Sequence, residues 1–160
     1  PLVASALAYE EFAIGAFKPK KDMTALPLLG LNSWHNDTLP ELGARYVRNA
    51  LFVDAFSASR LETETESFVS RYQREFRRTP GVLDAVASDV GKMMAVTART
   101  APQSRDAFRD AMAGVGLSRP VAGGGQFGEK REIERDLLVF TIDKEGILEV
   151  GQDRNELPSE

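Results

Sequence analysis

Short apolar runs of strand length, set between segments of helical periodicity, constrain this chain more than any other feature. Residues 26–31 (LPLLGL) form one such run, and a continuous apolar stretch that short predicts a strand covered on both faces. Residues 50–56 (ALFVDAF) and 136–142 (DLLVFTI) repeat the pattern. Between them, Phe68, Val69, Tyr72 and Phe76 fall on one face of a helix at 63–78. Leu83, Val86, Ala87, Val90, Met94 and Thr97 line a second helix, and a third runs from about 104 to 113. Thr63-Glu64-Thr65-Glu66 has capping-box spacing, Thr79-Pro80-Gly81 stops the first helix, and Gly114 and Gly116 close the third. Asp143-Lys144-Glu145-Gly146 reads as a hairpin turn before a return strand at 147–150. Upstream, 3–17 reads as an apolar helix ended by the charged turn at 18–22, and a brief helix is expected over 39–46. The last ten residues are polar and are expected to fray.

The 160-residue chain is 42% hydrophobic and 28% charged, a balance that supports a packed core and excludes wholesale disorder. Its length fits one domain or parts of two small lobes. A net charge of −4 argues against nucleic acid or an anionic membrane as partner, since both need a concentrated basic surface. With no cysteine, disulfides, thiolate zinc sites and cysteine nucleophiles are excluded. Pro1 leads directly into an apolar stretch, which is expected of a fragment or processed piece.

Motifs that carry chemistry fare poorly. Gly123, Gly125 and Gly128 have G-x-G-x-x-G spacing, but a dinucleotide site needs a buried strand before them and a helix with small apolar residues after. Ser118-Arg119-Pro120 precedes and Glu129-Lys130-Arg131-Glu132 follows, so the stretch is expected to be a flexible turn. Gly123 and Gly128 also have Walker spacing, with Glu129 where the phosphate-binding lysine belongs. Ser33, His35 and Asp37 lie within one loop, whereas catalytic triads are assembled from separate segments. His35, alone, is a poor metal ligand and is expected to be exposed or hydrogen-bonded. Arg71, Arg74, Arg77 and Arg78 read as a solvated helix face; of Met93 and Met94, one is expected in the core and one partly buried. No enzyme activity, cofactor or metal site is therefore expected. Trp34 follows a strand, where open α/β sheets place their ligand crevice. A ring there can stack on a ligand or plug the sheet end, and both readings stand.

The order of these segments resembles the C-terminal half of type I periplasmic solute-binding proteins, in the branched-chain amino-acid receptor superfamily. LLGLNSWHND is similar to that family's strand and crevice loop in the second lobe, and GARYVRNALFVDAFSAS to the next strand and crossover. FVSRYQREFRRTPGVLDAVASDVGKMM is similar to its paired helices, although Ser88-Asp89-Val90 stands where the family favours Tyr-Asp-Ala. VAGGGQFGEKREIERDLLVFTIDKEGILEV is similar to the closing glycine turn and terminal hairpin.

The resemblance covers roughly residues 25–150. It implies an α/β chain, a portion of a two-lobed type I periplasmic-binding-protein fold, with short parallel strands flanked by helices and a C-terminal β-hairpin. Residues 1–56 would belong mainly to the second lobe and 57–128 mainly to the first. The terminal strands and hairpin would occupy 129–150, and the tail 151–160. The implied function is binding of a small polar molecule such as an amino acid by an ABC-transporter receptor in the periplasm, with a permease or cell-envelope partner and no nucleic acid. The candidate ligand-binding residues are Asn32, Ser33 and Trp34, with Phe56 near the hinge and Asp89. The alternative reading is a regulatory lipoprotein domain that reuses the fold for protein interaction. Because the strands and the helix faces built on Phe68, Tyr72, Phe76, Val86 and Val90 call for cover, self-association is expected.

Overall fold

Alternating burial along two neighbouring strands organises the first of two compact units, and a polar side chain inside a helical face organises the second. The computed structural model describes residues 2–15, 24–130 and 132–151. Unit 1 comprises Pro1–Asp54 and Leu138–Glu160, and unit 2 comprises Ala55–Leu137. The expected charged turn at 18–22 and most of the tail lie outside the described residues.

In unit 1, helix α1 (Leu2–Tyr9) leads to β1 (Phe12–Ala13), which pairs in parallel with β2 (Thr24–Ala25). The single helix expected over 3–17 is therefore corrected. Glu10 still donates its amide to the Ala6 carbonyl, but Glu11 turns to φ 63 and the helical ladder ends. A four-stranded mixed sheet follows, in the order β3 (Leu29–Gly30), β4 (Leu51–Asp54), β5 (Leu138–Ile142), β6 (Ile147–Glu149). β3 and β4 are parallel, and β4–β5 and β5–β6 are antiparallel.

On β4 and β5, Phe52, Asp54, Phe140 and Ile142 point inward while Leu51 and Val139 are partly exposed. Phe52 and Phe140 are cross-strand partners and stack at 5.2 Å between ring centroids. With Val47 and Ile142 they form a core on which Trp34, Leu39, Leu138 and Ile147 pack.

Burial of the first apolar run on both faces is not observed. Within this unit Leu29 is 75% and Leu31 70% exposed. Among the described residues β3 is a two-residue edge strand bonded to β4 alone in its sheet, so its side chains meet few neighbours. The brief helix at 39–46 resolves into α2 (Leu39–Gly43) and a 3₁₀ turn, Ala44–Tyr46. The hairpin forms as expected. Asp143 Oδ1 accepts from the amides of Glu145 and Gly146, and Gly146 takes φ 135.

Unit 2 packs α3 (Thr63–Phe76), α4 (Val82–Ala98) and α5 (Arg105–Ala113). Phe56, Phe68, Ala85, Val121 and Ala122 form its core, flanked by Val69, Tyr72, Val82 and Val86. Thr63 does not cap α3: the N-cap position falls on Glu62 and no side chain caps it. Ser104 does cap α5, its hydroxyl accepting from the Ala107 amide at 3.1 Å.

The inward face of α4 matches the expected one at Thr97 and in part at Val86, which packs on the core, and departs from it elsewhere. Ala85, Asp89, Met93 and Thr97 are buried, whereas Leu83 and Met94 are exposed, as is Phe76 on α3. Small side chains let α4 approach closely, and the Asp89 carboxylate has partners to satisfy there. The glycine stretch is tightly packed rather than a loose turn. A Cβ on Gly125 would lie 2.5 Å from the Leu117 carbonyl oxygen, and one on Gly123, at φ 71, would lie 2.6 Å from that of Asp136.

Candidate functional site

The chain leaving β3 folds at once into a 3₁₀ turn, Asn32–Trp34. Its backbone bonds are Trp34 N–H to Leu31 O and His35 N–H to Asn32 O, both 2.9 Å. Asn32 and Ser33 are exposed and Trp34 is half-buried. The indole lies against the backbone of Gly30, where an added Cβ would sit 2.5 Å from Trp34 Cδ2. Glycine in β3 therefore makes the seat for the tryptophan, and the core beneath the sheet supports it. One side of the ring contributes to a cavity of about 480 Å³, together with Leu7, Leu28, Ser33, Asn36 and Leu39. Apolar walls with a few polar groups among them suit a small ligand. The geometry gives Trp34 a packing role and access to this cavity at the same time.

His35 closes the turn. Its Nδ1 is hydrogen-bonded to Asp54 Oδ2 at 2.6 Å, and its ring packs on Phe140 (4.5 Å between centroids) and Phe52 (5.7 Å). The acid partner of the histidine thus comes from β4 and not from neighbouring Asp37, which is exposed. Sequence reasoning passed over this pair. The signal was Asp54, the one charged residue in ALFVDAF, at a position that alternation turns inward.

Asn32, Ser33 and Trp34 are brought together in unit 1, whereas Phe56 and Asp89 belong to unit 2. Phe56 is buried edge-on against Phe68, 5.9 Å between centroids. Asp89 is also buried and accepts from the amides of Val121 (2.9 Å) and Ala122 (2.8 Å) and from Lys92 Nζ (3.1 Å). Both side chains are engaged within their own unit. Elsewhere in unit 2, Asp84 receives two hydrogen bonds from Arg78, one from the Tyr72 hydroxyl and one from the Gly81 amide. The Arg78 guanidinium foremost, then Tyr72 and the amide, hold this carboxyl well below the usual carboxylate range. These contacts tie the end of α3 to the start of α4. Unit 2 has a cavity of about 380 Å³, lined mainly by Phe108, Met112, Ala113 and Phe127, with Arg105 beside them.

Among the described residues no cluster of histidine, aspartate or glutamate could hold a metal ion, and no helix is long and apolar enough to cross a membrane.

No protein-family profile and no curated protein sequence matches this chain. Solved structures do. One is described as a branched-chain amino acid ABC transporter protein from Rhodospirillum rubrum. It superposes with a TM-score of 0.68 at 24% identity, over 79% of this chain and 38% of its own. The branched-chain amino acid transporter substrate-binding protein LivJ from Streptococcus pneumoniae, in complex with isoleucine, gives 0.62 at 17% identity, over 78% and 37%. A fatty acid ABC transporter substrate-binding protein from Thermomonospora curvata gives 0.63 at 16% identity, over 94% and 45%. The chain spans less than half the length of each. Strand order, paired helices and terminal hairpin accordingly give this chain the fold of one part of a type I periplasmic solute-binding protein.

Proposed function

We propose that this chain is the ligand-binding segment of an ABC-transporter solute receptor that takes a small polar molecule such as an amino acid, and that it binds without catalysing. The observation that carries the reading is the likeness of most of the chain to solute-binding proteins, one of them holding isoleucine. The exposure of Asn32 and Ser33 on the turn after a parallel strand, with Trp34 half-buried beside them, supports a role for the three as ligand-binding residues, the first two as hydrogen-bonding groups and the ring as an apolar face. Phe56 and Asp89, both buried in unit 2, stay in the proposal as candidate ligand-binding residues of that unit. A periplasmic setting, with or without a lipid anchor, and a permease partner belong to the same reading. Self-association also belongs to it, because unit 1 exposes Val3, Leu29, Leu31 and Leu42.

Calorimetry on the full-length gene product with leucine, isoleucine, valine, glutamate and a medium-chain fatty acid tests the proposal. Saturable binding of an amino acid is expected. Truncating Trp34 to alanine should then weaken it by about 1–3 kcal/mol, as for other aromatic anchors in buried pockets. Unchanged affinity in Trp34→Ala would confine that residue to packing, and silence across the whole panel would refute the proposal.

A further inference from the structure

We infer that His35 and Asp54 form a positioning pair that sets the 32–34 turn for ligand binding, an inference that rests on the proposed role of that turn. Asp54 is the last residue of β4, the strand bonded to β3 on one side and β5 on the other, and it is only 3% exposed. A buried carboxylate is costly unless paired and hydrogen-bonded, so a position that could hold valine or leucine has been given to an acid with a defined partner. That partner is the C-cap residue of the turn: the His35 amide donates to Asn32 O while its ring reaches Asp54 Oδ2 at 2.6 Å. The ring is also held by Phe140 and Phe52, so its tilt is set by the sheet. The turn is thereby anchored on both sides of Asn32–Trp34, with the Trp34 indole seated on Gly30 before it and the His35 ring bonded to β4 after it. Neither anchor occupies the exposed faces of Asn32 and Ser33, which remain presented to solvent. Placing a binding group by a locked neighbour of this kind reduces the ordering cost of binding.

The chemistry of the pair supplies a discriminating test. An asparagine amide nitrogen overlays Nδ1 of histidine and can donate to Asp54. A glutamine amide overlays Nε2 and cannot. The full-length gene product and its His35→Asn, His35→Gln and Asp54→Ala variants are compared for acrylamide quenching of Trp34. Trp34 emission is isolated as the difference from a Trp34→Phe protein. The same variants are titrated calorimetrically with the amino acid panel.

His35→Gln and Asp54→Ala are expected to increase quenching and to weaken amino-acid binding about 10-fold or more, as for loss of a hydrogen bond to a charged group. His35→Asn should stay close to wild type, and joining His35→Gln with Asp54→Ala should add little to either alone. Equal behaviour of the Asn and Gln variants, or folded variants with unchanged quenching, would overturn the inference. Should no panel ligand bind even the wild type, the ligand reading falls, while the quenching series still decides whether the pair sets the turn. Should Asp54→Ala not fold, the Asn–Gln comparison decides alone.

Discussion

Gly30 and Trp34 show how a side chain that is absent can place one that is present. The indole occupies the volume a Cβ at position 30 would need, so Gly30→Ala must displace the ring or bend β3. Overpacking of this kind costs about 1–3 kcal/mol. Urea denaturation should show that loss together with a changed Trp34 emission, and an unchanged emission maximum would mean that the ring has another seat. Asp89 makes the complementary point in unit 2. Its carboxylate satisfies two backbone amides at the 121–122 corner, and Asp89→Ala leaves them buried without that acceptor. Breaking buried charged hydrogen bonds costs about 2–5 kcal/mol, to be read from the urea midpoint.

Asp84 carries the pH dependence. Its folded-state pKa is depressed below the unfolded value of about 3.9, so on acidification the unfolded chain takes up the proton first. The stability it contributes is fully present above about pH 5 and is lost as pH falls through the folded-state titration. The difference in urea midpoint between wild type and Asp84→Asn should therefore be wide at pH 7 and shrink below about pH 3. A difference that stays constant with pH would remove the ion pair as its source.

At the level of elements, Ser104 and Asp84 bond the backbone at the starts of α5 and α4, whereas the end of α3 is set by backbone conformation. α3 stops where Arg77 enters the left-handed region at φ 58, its amide donating to Gln73 O. A side chain in that region is strained where glycine is not, so Arg77→Gly should raise the thermal midpoint of unit 2, with a gain of about 0.5 kcal/mol after the glycine's greater unfolded-state entropy. A lower midpoint would show that the arginine side chain contributes more than its backbone costs. Strand length followed the ladder: β5 begins at Leu138, where its antiparallel pairing with Asp54 begins, although the apolar run starts earlier. The inward face of α4 keeps Thr97 and Val86 but turns away from Leu83 and Met94, because periodicity favours the largest apolar side chains while close approach favours Ala85 and a satisfied Asp89.

At the scale of the whole molecule, each unit carries its own core, Phe52 with Phe140 in one and Phe56 with Phe68 in the other. Unit 1 also exposes Leu29, Leu31, Leu42 and Val3 beside a short edge strand. Such surface, with an edge unpaired among the described residues, favours association with a second copy. Light scattering over a dilution series of the chain should show mass rising with concentration. A folded monomer throughout the micromolar range would show that this surface is tolerated in water.

Composition, strand-length apolar runs and helical periodicity by themselves determined the α/β class, the three helices of unit 2, the hairpin at 143–146 and the loop carrying Asn32, Ser33 and Trp34. These are local properties, dictated by φ/ψ preference and side-chain period within a few residues. Tertiary structure alone decided that His35 pairs with Asp54 instead of Asp37, that Asp89 faces the 121–122 amides, and that the glycines at 123–125 admit neighbouring backbone. It also decided that Leu29 and Leu31 remain exposed in their unit. Each depends on which distant segment arrives opposite a residue, a choice made by burial and hydrogen-bond satisfaction across the fold, which the residue's own neighbours in sequence do not encode.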